Sequence, residues 1–245
     1  MQVKSFLELG QLAPRGQTPQ LYLHTQNAAG DMATALQESA GALDVKAATG
    51  AGLAPASAHS FLQERDDLPS LLISNYDRQF SNPMYHSVYD SAAYHNYTGE
   101  EGGAGAVAQH LDKVAAMVAG AVLKLATGQS ASKLSSQADL VDSLLQCFTL
   151  TANCDMFYQA SEPGNFPWNF HPSERPRAPF PQYVGVRSSY HTLKTRQVLQ
   201  YLTGTVVKLE AKQEEEQADE QGPGSEEEKR KQECNNKNQD QHEFR

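Results

Sequence analysis

The chain has 245 residues, 39% of them hydrophobic, with a formal net charge of −9 and a mean hydropathy of −0.57. That length holds one good-sized domain, or one domain and a tail. From Glu210 to Glu233 ten acidic residues face four basic ones, so this stretch alone supplies −6 of the −9; the remainder is only mildly acidic and has no concentrated basic patch, which excludes a nucleic-acid surface.

The opening residues MQVKSFLELGQLAP do not read as a signal peptide, because Glu8 interrupts an apolar run that is already too short. Val3, Ser5, Leu7 and Leu9 alternate against Lys4, Phe6 and Glu8, which predicts a strand. Pro14 and Gly16 follow, then a second strand over Leu21–His24, so that the two form a hairpin or lie side by side. An abrupt start in a strand implies a chain that begins partway through a larger fold. Asp31 is placed to cap a helix through Leu43 with Met32, Leu36 and Leu43 inward. Residues 44–57 are rich in Ala and Gly and yield no assignment, and Ser60 is placed to cap a short turn carrying Phe61 and Leu62.

The rest of the chain is organised around Leu71–Ala92, LLISNYDRQFSNPMYHSVYDSA. Leu71-Leu72-Ile73, between Pro69 and Asn75, has the length and framing of a buried central strand. A polar loop leaves its end, which is where α/β folds place their sites. His86 and Asp90 stand four apart in that loop, on one face if the segment is helical.

After a glycine-rich connection over 99–105, Val107, Leu111, Val114, Val118, Val122 and Leu125 recur at helical spacing and predict a core-facing stripe closed by Gly128. Its most apolar part, Val114–Ala126, is shorter than the roughly 20 residues a bilayer needs and contains Lys124, so no segment is expected to cross a membrane. A second helix is predicted from Gln137 to Met156. On such a helix Cys147 and Cys154 stand about 10 Å apart, too far for a bridge, and read as buried thiols. Residues Ser161–Pro181 hold six of the twelve prolines with Phe166, Trp168, Phe170 and His171, and read as a loop. A strand over Tyr183–Val186, a helix over Thr192–Leu202 stopped by Gly204, and strand residues at Val206-Val207 complete the α/β pattern. No core-forming pattern survives Leu209, which divides the chain into a folded part, 1–209, and a disordered acidic segment, 210–245.

Three cysteines make no disulfide framework, and Cys234 has no evident mate. His86 with Asp90 is the one compact metal-like pair, but a catalytic zinc site needs three protein ligands and an open position. The other seven histidines are scattered with no HExxH, so a locally hydrogen-bonded His86 is the simpler reading, and no cofactor is assigned. There is no GxSxG, GxGxxG or GxxxxGK[ST] pattern. Asn96-Tyr97-Thr98 is an N-glycosylation sequon in a polar, glycine-flanked loop.

Several separated stretches in order, SFLELGQLA, LLISNYDRQFSNPMYHSVYDSA, the helix ending LKLATG, SSQADLVDSLLQCFTLTAN and LTGTVVKL, resemble the nicastrin family of γ-secretase subunits over nearly all of residues 3–209. The resemblance implies part of a mixed sheet with flanking helices related to zinc aminopeptidases, with catalysis lost. It implies a lumenal scaffold and substrate receptor that works with presenilin and the other γ-secretase subunits on type I membrane stubs, Notch and amyloid-precursor-type proteins among them. It also implies a place on the lumenal or extracellular side of the ER, Golgi and plasma membrane. Asn96 matches a position that carries family sequons. Cys234 resembles a family cysteine whose partner would lie past Arg245. His86-Ser87 to Asp90-Ser91 resembles the HTxxDT-like turn that gives the aminopeptidases a late zinc ligand, which makes His86 a relic ligand. The family's signal peptide, N-terminal lobe, first half of the peptidase-like domain and C-terminal membrane helix have no counterpart in these residues. The alternative is the C-terminal half of an active zinc aminopeptidase.

Overall fold

The computed structural model describes residues 3–13, 20–50, 52–80, 82–99, 104–130, 134–161, 179 and 190–205. In chain order the elements are β1 (Phe6–Leu9), β2 (Gln20–Gln26), α1 (Gly30–Ser39), β3 (Asp44–Ala47), α2 (Ala58–Leu62), β4 (Ser70–Ser74), a 3-10 turn (Ala93–His95), α3 (Ala106–Thr127), α4 (Ala138–Leu145), a π turn (Gln146–Leu150), α5 (Asp155–Gln159) and α6 (Tyr190–Thr203). Contacts divide the chain into Met1–Thr205 and Val206–Arg245, and the second unit lies outside the described residues. So do the strand expected at Tyr183–Val186, the residues Val206-Val207, nearly all of the proline-rich loop, Cys234 and the acidic segment.

Every residue of β4 is buried, as its uninterrupted apolar run requires of a central strand. The four strands lie in the order β1-β4-β2-β3, with β1–β4 and β2–β3 parallel and β4–β2 antiparallel. The hairpin or adjacent pair expected of β1 and β2 is therefore corrected. The Pro/Gly turn signal says only that the chain bends, and β4, apolar on both faces, takes the position between them.

Alternation sorts the sheet's side chains. Leu21 and Leu23 of β2 and Leu71 and Ile73 of β4 meet Met32, Ala35 and Leu36 of α1 and Val114, Met117 and Ala121 of α3 in one core. The opposite face carries Phe6, Glu8 and Leu72, whose register pairs Glu8 with Leu72. Against it lies α2: the Phe6 and Phe61 rings stack at 4.7 Å, and the Glu8 carboxylate accepts the N–H groups of Ser57 and Ala58, each at 3.1 Å. Glu8, not Ser60, thus satisfies the start of α2.

Three helix expectations change. No side chain caps α1, Asp31 sits inside its first turn, and the helix ends at Ser39, so that Leu43 packs on the core from the turn beyond. In α3 the core-facing line is rotated from the expected one. Val114 is buried, but so are Ala108, Met117, Gly120 and Ala121, while Val122 and Leu125 are exposed. The cause is the approach of α1: a Cβ on Gly120 would stand 3.3 Å from that of Ser39, and small residues let two helices come this close. With 22 residues and a mean hydropathy of 1.3, α3 is long and apolar enough to cross a membrane, unlike its 13-residue apolar part taken alone. Its packing through Val114, Met117 and Ala121 makes it the core helix of this fold. Gly128 closes it as expected, at φ 73° with its N–H on the Lys124 carbonyl.

The long helix predicted over 137–156 is two helices with a break, and the break corrects the cysteine reading. After α4 the backbone widens into the π turn, Thr151 goes extended at φ −153° and ψ 130°, and α5 begins at Asp155. This brings the Cα atoms of Cys147 and Cys154 to 5.5 Å, and the two are joined in a disulfide. The bond lies in a second small core with Phe157 and Val198, so α5 and α6 pack around it. The expected α6 is present and stops at Gly204, whose N–H bonds the Gln200 carbonyl at 2.8 Å.

Candidate functional site

The loop leaving β4 returns to the sheet at two levels. Directly after the strand, Asn75 N–H donates to the Gln11 carbonyl at 2.7 Å and its side chain donates to the Ala13 carbonyl at 2.7 Å. Below this, His24 Nε2 lies 2.9 Å from Ser74 Oγ and 3.0 Å from the Tyr76 carbonyl, all buried. Burial, followed by the neighbouring Tyr85, raises the Tyr76 phenol above its ordinary pKa. On the rim the Asp77 carboxylate accepts both the hydroxyl and the N–H of Thr49, bonds that lower its pKa.

Farther on, Asn82 is the hub. It is buried, its N–H donates to Gln11 Oε1 at 3.3 Å, its Oδ1 accepts the Met84 N–H at 2.8 Å, and its Nδ2 donates to Asp90 Oδ1 at 2.8 Å. The same Asp90 oxygen accepts from His95 Nε2 at 2.7 Å. Asp90 Oδ1 is therefore shared by Asn82 and His95, and neither bond turns the carboxylate toward His86. The helix that would have aligned it with His86 does not form; the segment is a run of turns. His86 is exposed at φ 63°, with its ring 4.2 Å from that of Tyr85. Among the described residues no three His, Cys, Asp or Glu side chains come together as a metal site would need.

The sequon lies at the end of this loop. Asn96 ends the 3-10 turn in the left-handed region at φ 52°, where asparagine is one of the few side chains tolerated, and it is exposed together with Thr98. Tyr97 between them is buried, and its hydroxyl donates to the Asp142 carbonyl and carboxylate, each at 3.0 Å. Burial, then the bond and charge of Asp142, push this phenol far above its ordinary pKa. The loop is thus anchored on α4 from one side and on Asn82 from the other, with the asparagine side chain in solvent.

Between α3 and α4 a groove of about 480 Å³ is lined by Gln109, Asp112, Lys113, Gln137 and Asp139 among others. Its buried carboxylate, Asp112, is taken up by Ser136 Oγ at 2.7 Å and Gln137 N–H at 2.8 Å. That is a helix-start anchor, and it takes up the buried carboxylate of the groove. The residues that sequence reasoning missed are Asn82, His95 and the bonded cysteines. The Asn82-Pro83 turn signal is the one cue that pointed to the first of them.

Residues 1–123 match the sequence profile of the nicastrin large lobe. The chain belongs to the nicastrin family. A crystal structure described as that of the γ-secretase component nicastrin matches with a TM-score of 0.50 and 21% identity, covering 79% of this chain and 33% of that one. At this identity the likeness is one of fold, and it bears out the mixed sheet with flanking helices. The chain spans about a third of the length of that nicastrin structure. No curated protein matches.

Proposed function

We propose that this nicastrin-family chain is part of a non-catalytic lumenal body in a γ-secretase-type complex, a scaffold and receptor for the ectodomain stubs of type I membrane proteins. The observation that carries the reading is the family match over residues 1–123. Presenilin and the other subunits of that complex are the partners it implies, and substrates of the Notch and amyloid-precursor type are the cargo. Its mechanism is steric and adhesive: a folded wall decides which stubs approach the membrane-embedded protease.

Two features support a lumenal or extracellular address. The Cys147–Cys154 disulfide belongs to an oxidising compartment. The sequon at Asn96 stands exposed on a loop whose neighbours are anchored, as a glycan acceptor requires. We read Asn96 as glycosylated, Cys234 as bonded to a cysteine outside this chain, and His86 as a relic.

The test is made on the complete gene product. Tagged and expressed in cells of its source, it should co-purify with a presenilin-type protease. It should carry a glycan on Asn96 that Asn96→Gln abolishes, seen as a mobility shift. Stoichiometric zinc with metal-dependent aminopeptidase activity, and no protease co-purifying, would establish the aminopeptidase alternative instead.

A further inference from the structure

The sequon Asn96-Tyr97-Thr98 is held by its middle residue. Tyr97 is 5% exposed, and its hydroxyl donates to the carbonyl and the carboxylate of Asp142, 45 residues farther along the chain. Its own N–H is bonded to the Ala92 carbonyl at 2.9 Å, and the Asn96 N–H to the Ala93 carbonyl at 3.2 Å. Beyond the sequon Gly99, at φ 61°, passes so close to Leu150 that a Cβ on it would stand 2.5 Å from that side chain. The acceptor is thus fixed at its centre by α4 and at its exit by the π turn.

An exposed asparagine suits a finished glycan, because the sugar must clear the protein. Transfer asks for more. The sequon is defined by the asparagine and by the hydroxyl residue two places on, so the enzyme that attaches the glycan reads both side chains. Side chains two apart share one face only in an extended segment. Asn96 in the left-handed region and Tyr97 turned into the protein do not form one. Drawing the sequon out requires the Tyr97 ring to leave its site, both bonds to Asp142 to break and the turn to open. The anchor for that ring exists only once α4 has been made. At about 5–20 residues per second the 45 residues between them take roughly 2–9 s.

We propose that Asn96 accepts its glycan only before Tyr97 docks on Asp142, so that the arrival of α4 closes the acceptor. The inference rests on the glycosylation reading above and adds the regulation of that site. In the transfer Asn96 Nδ2 bonds to the anomeric carbon of a lipid-diphosphate-linked oligosaccharide. The lipid diphosphate leaves with the electron pair of its C–O bond, and the amide gives up one proton. A copy that folds first stays bare, and occupancy records which of the two events came first.

The test uses the 245-residue chain made without a glycan, refolded and oxidised, with a purified oligosaccharyltransferase and its lipid-linked donor. The acceptors are the folded chain, its Tyr97→Phe and Tyr97→Ser variants, and a peptide of residues 90–104, which carries the sequon without α4; Asn96→Gln is the blank. The peptide should be modified, and the folded chain at least about tenfold more slowly, the factor set by opening an anchored turn. Tyr97→Phe loses both bonds to Asp142 and should recover about threefold or more. Tyr97→Ser, still a sequon, should approach the peptide. Amide exchange at residue 97 reports opening of this turn and should rise in the same order; if Tyr97→Ser fails to fold, Tyr97→Phe and its exchange rate decide. A folded chain modified as fast as the peptide overturns this inference and leaves the glycosylation reading standing, and so does a Tyr97→Phe variant as slow as the unaltered chain. A peptide that accepts no glycan overturns both.

Discussion

Replacing both bonded cysteines, Cys147→Ala with Cys154→Ala, tests the break between α4 and α5 most directly. The bridge joins residues seven apart and closes a loop of about eight residues. A cross-link removes entropy from the unfolded chain by about 2.1 plus 1.5R ln n cal/mol/K, which for n of about eight comes to roughly 2.5 kcal/mol at 25 °C. Cys147 and Cys154 are also buried against Phe157 and Val198, so trimming both to alanine adds a packing loss. The expected total is about 3 kcal/mol. The assay is urea unfolding of the unaltered chain, oxidised and then reduced, and of the double variant. The oxidised form should be the most stable, and the other two should agree to within about 1 kcal/mol. Alkylation before reduction should leave both cysteines unlabelled. If both thiols label in the native, unreduced protein, or if the three curves coincide, then 137–156 is the continuous helix that its spacing suggested and the fold around the π turn is wrong.

Other substitutions probe the remaining elements. Leu71→Ala, at a side chain with no exposure in the central strand, should cost about 2–5 kcal/mol in the same unfolding assay. On α3, Met117→Ala should cost a similar amount, and Val122→Ala less than about 0.5 kcal/mol; the opposite order would restore the stripe predicted from spacing. Asp112→Ala leaves Ser136 and the Gln137 N–H without their acceptor and should lower stability by about 1–3 kcal/mol, with local loss of amide protection at the start of α4. Lys194 is fully buried, and burial lowers its pKa from 10.5 to about 8. Because the unfolded chain then binds the extra proton between those values, stability should rise as pH climbs from about 8 towards 10.5. Lys194→Met should flatten that rise, and an unchanged slope in the variant would place the proton elsewhere.

What the sequence made legible follows from how local each signal is. β4 announced itself because an apolar run between Pro69 and Asn75 needs no partner to be recognised. The end of α3 was equally plain, since Gly128 fits a left-handed cap whatever surrounds it. The strand order was hidden, because pairing is a choice among strands and a turn signal does not record which neighbour wins. The rotation of α3 was hidden for the same reason: the side of a helix that is buried depends on where α1 lies, and Gly120 and Ala121 mark that side by being small, which a hydrophobic pattern ranks low. The disulfide was misread through one assumption, that helical spacing over 137–156 implies an unbroken helix. A π turn and one extended residue bring the two Cα atoms to 5.5 Å.

The same contrast applies to the site. His86 drew attention because it resembles a ligand, yet it stands exposed in a strained backbone with its presumed partner bonded elsewhere. In the structure the loop is held by residues of low sequence conspicuousness: Asn82, buried with three hydrogen bonds, and His95, which bonds the Asp90 oxygen that Asn82 also holds. A loop whose polar groups bond one another in this way holds a fixed shape. Fixed shape is what the scaffold role proposed above would require of the surface it presents. The loop at the end of the central strand, where an α/β enzyme would keep its chemistry, is here organised to hold Asn96 outward.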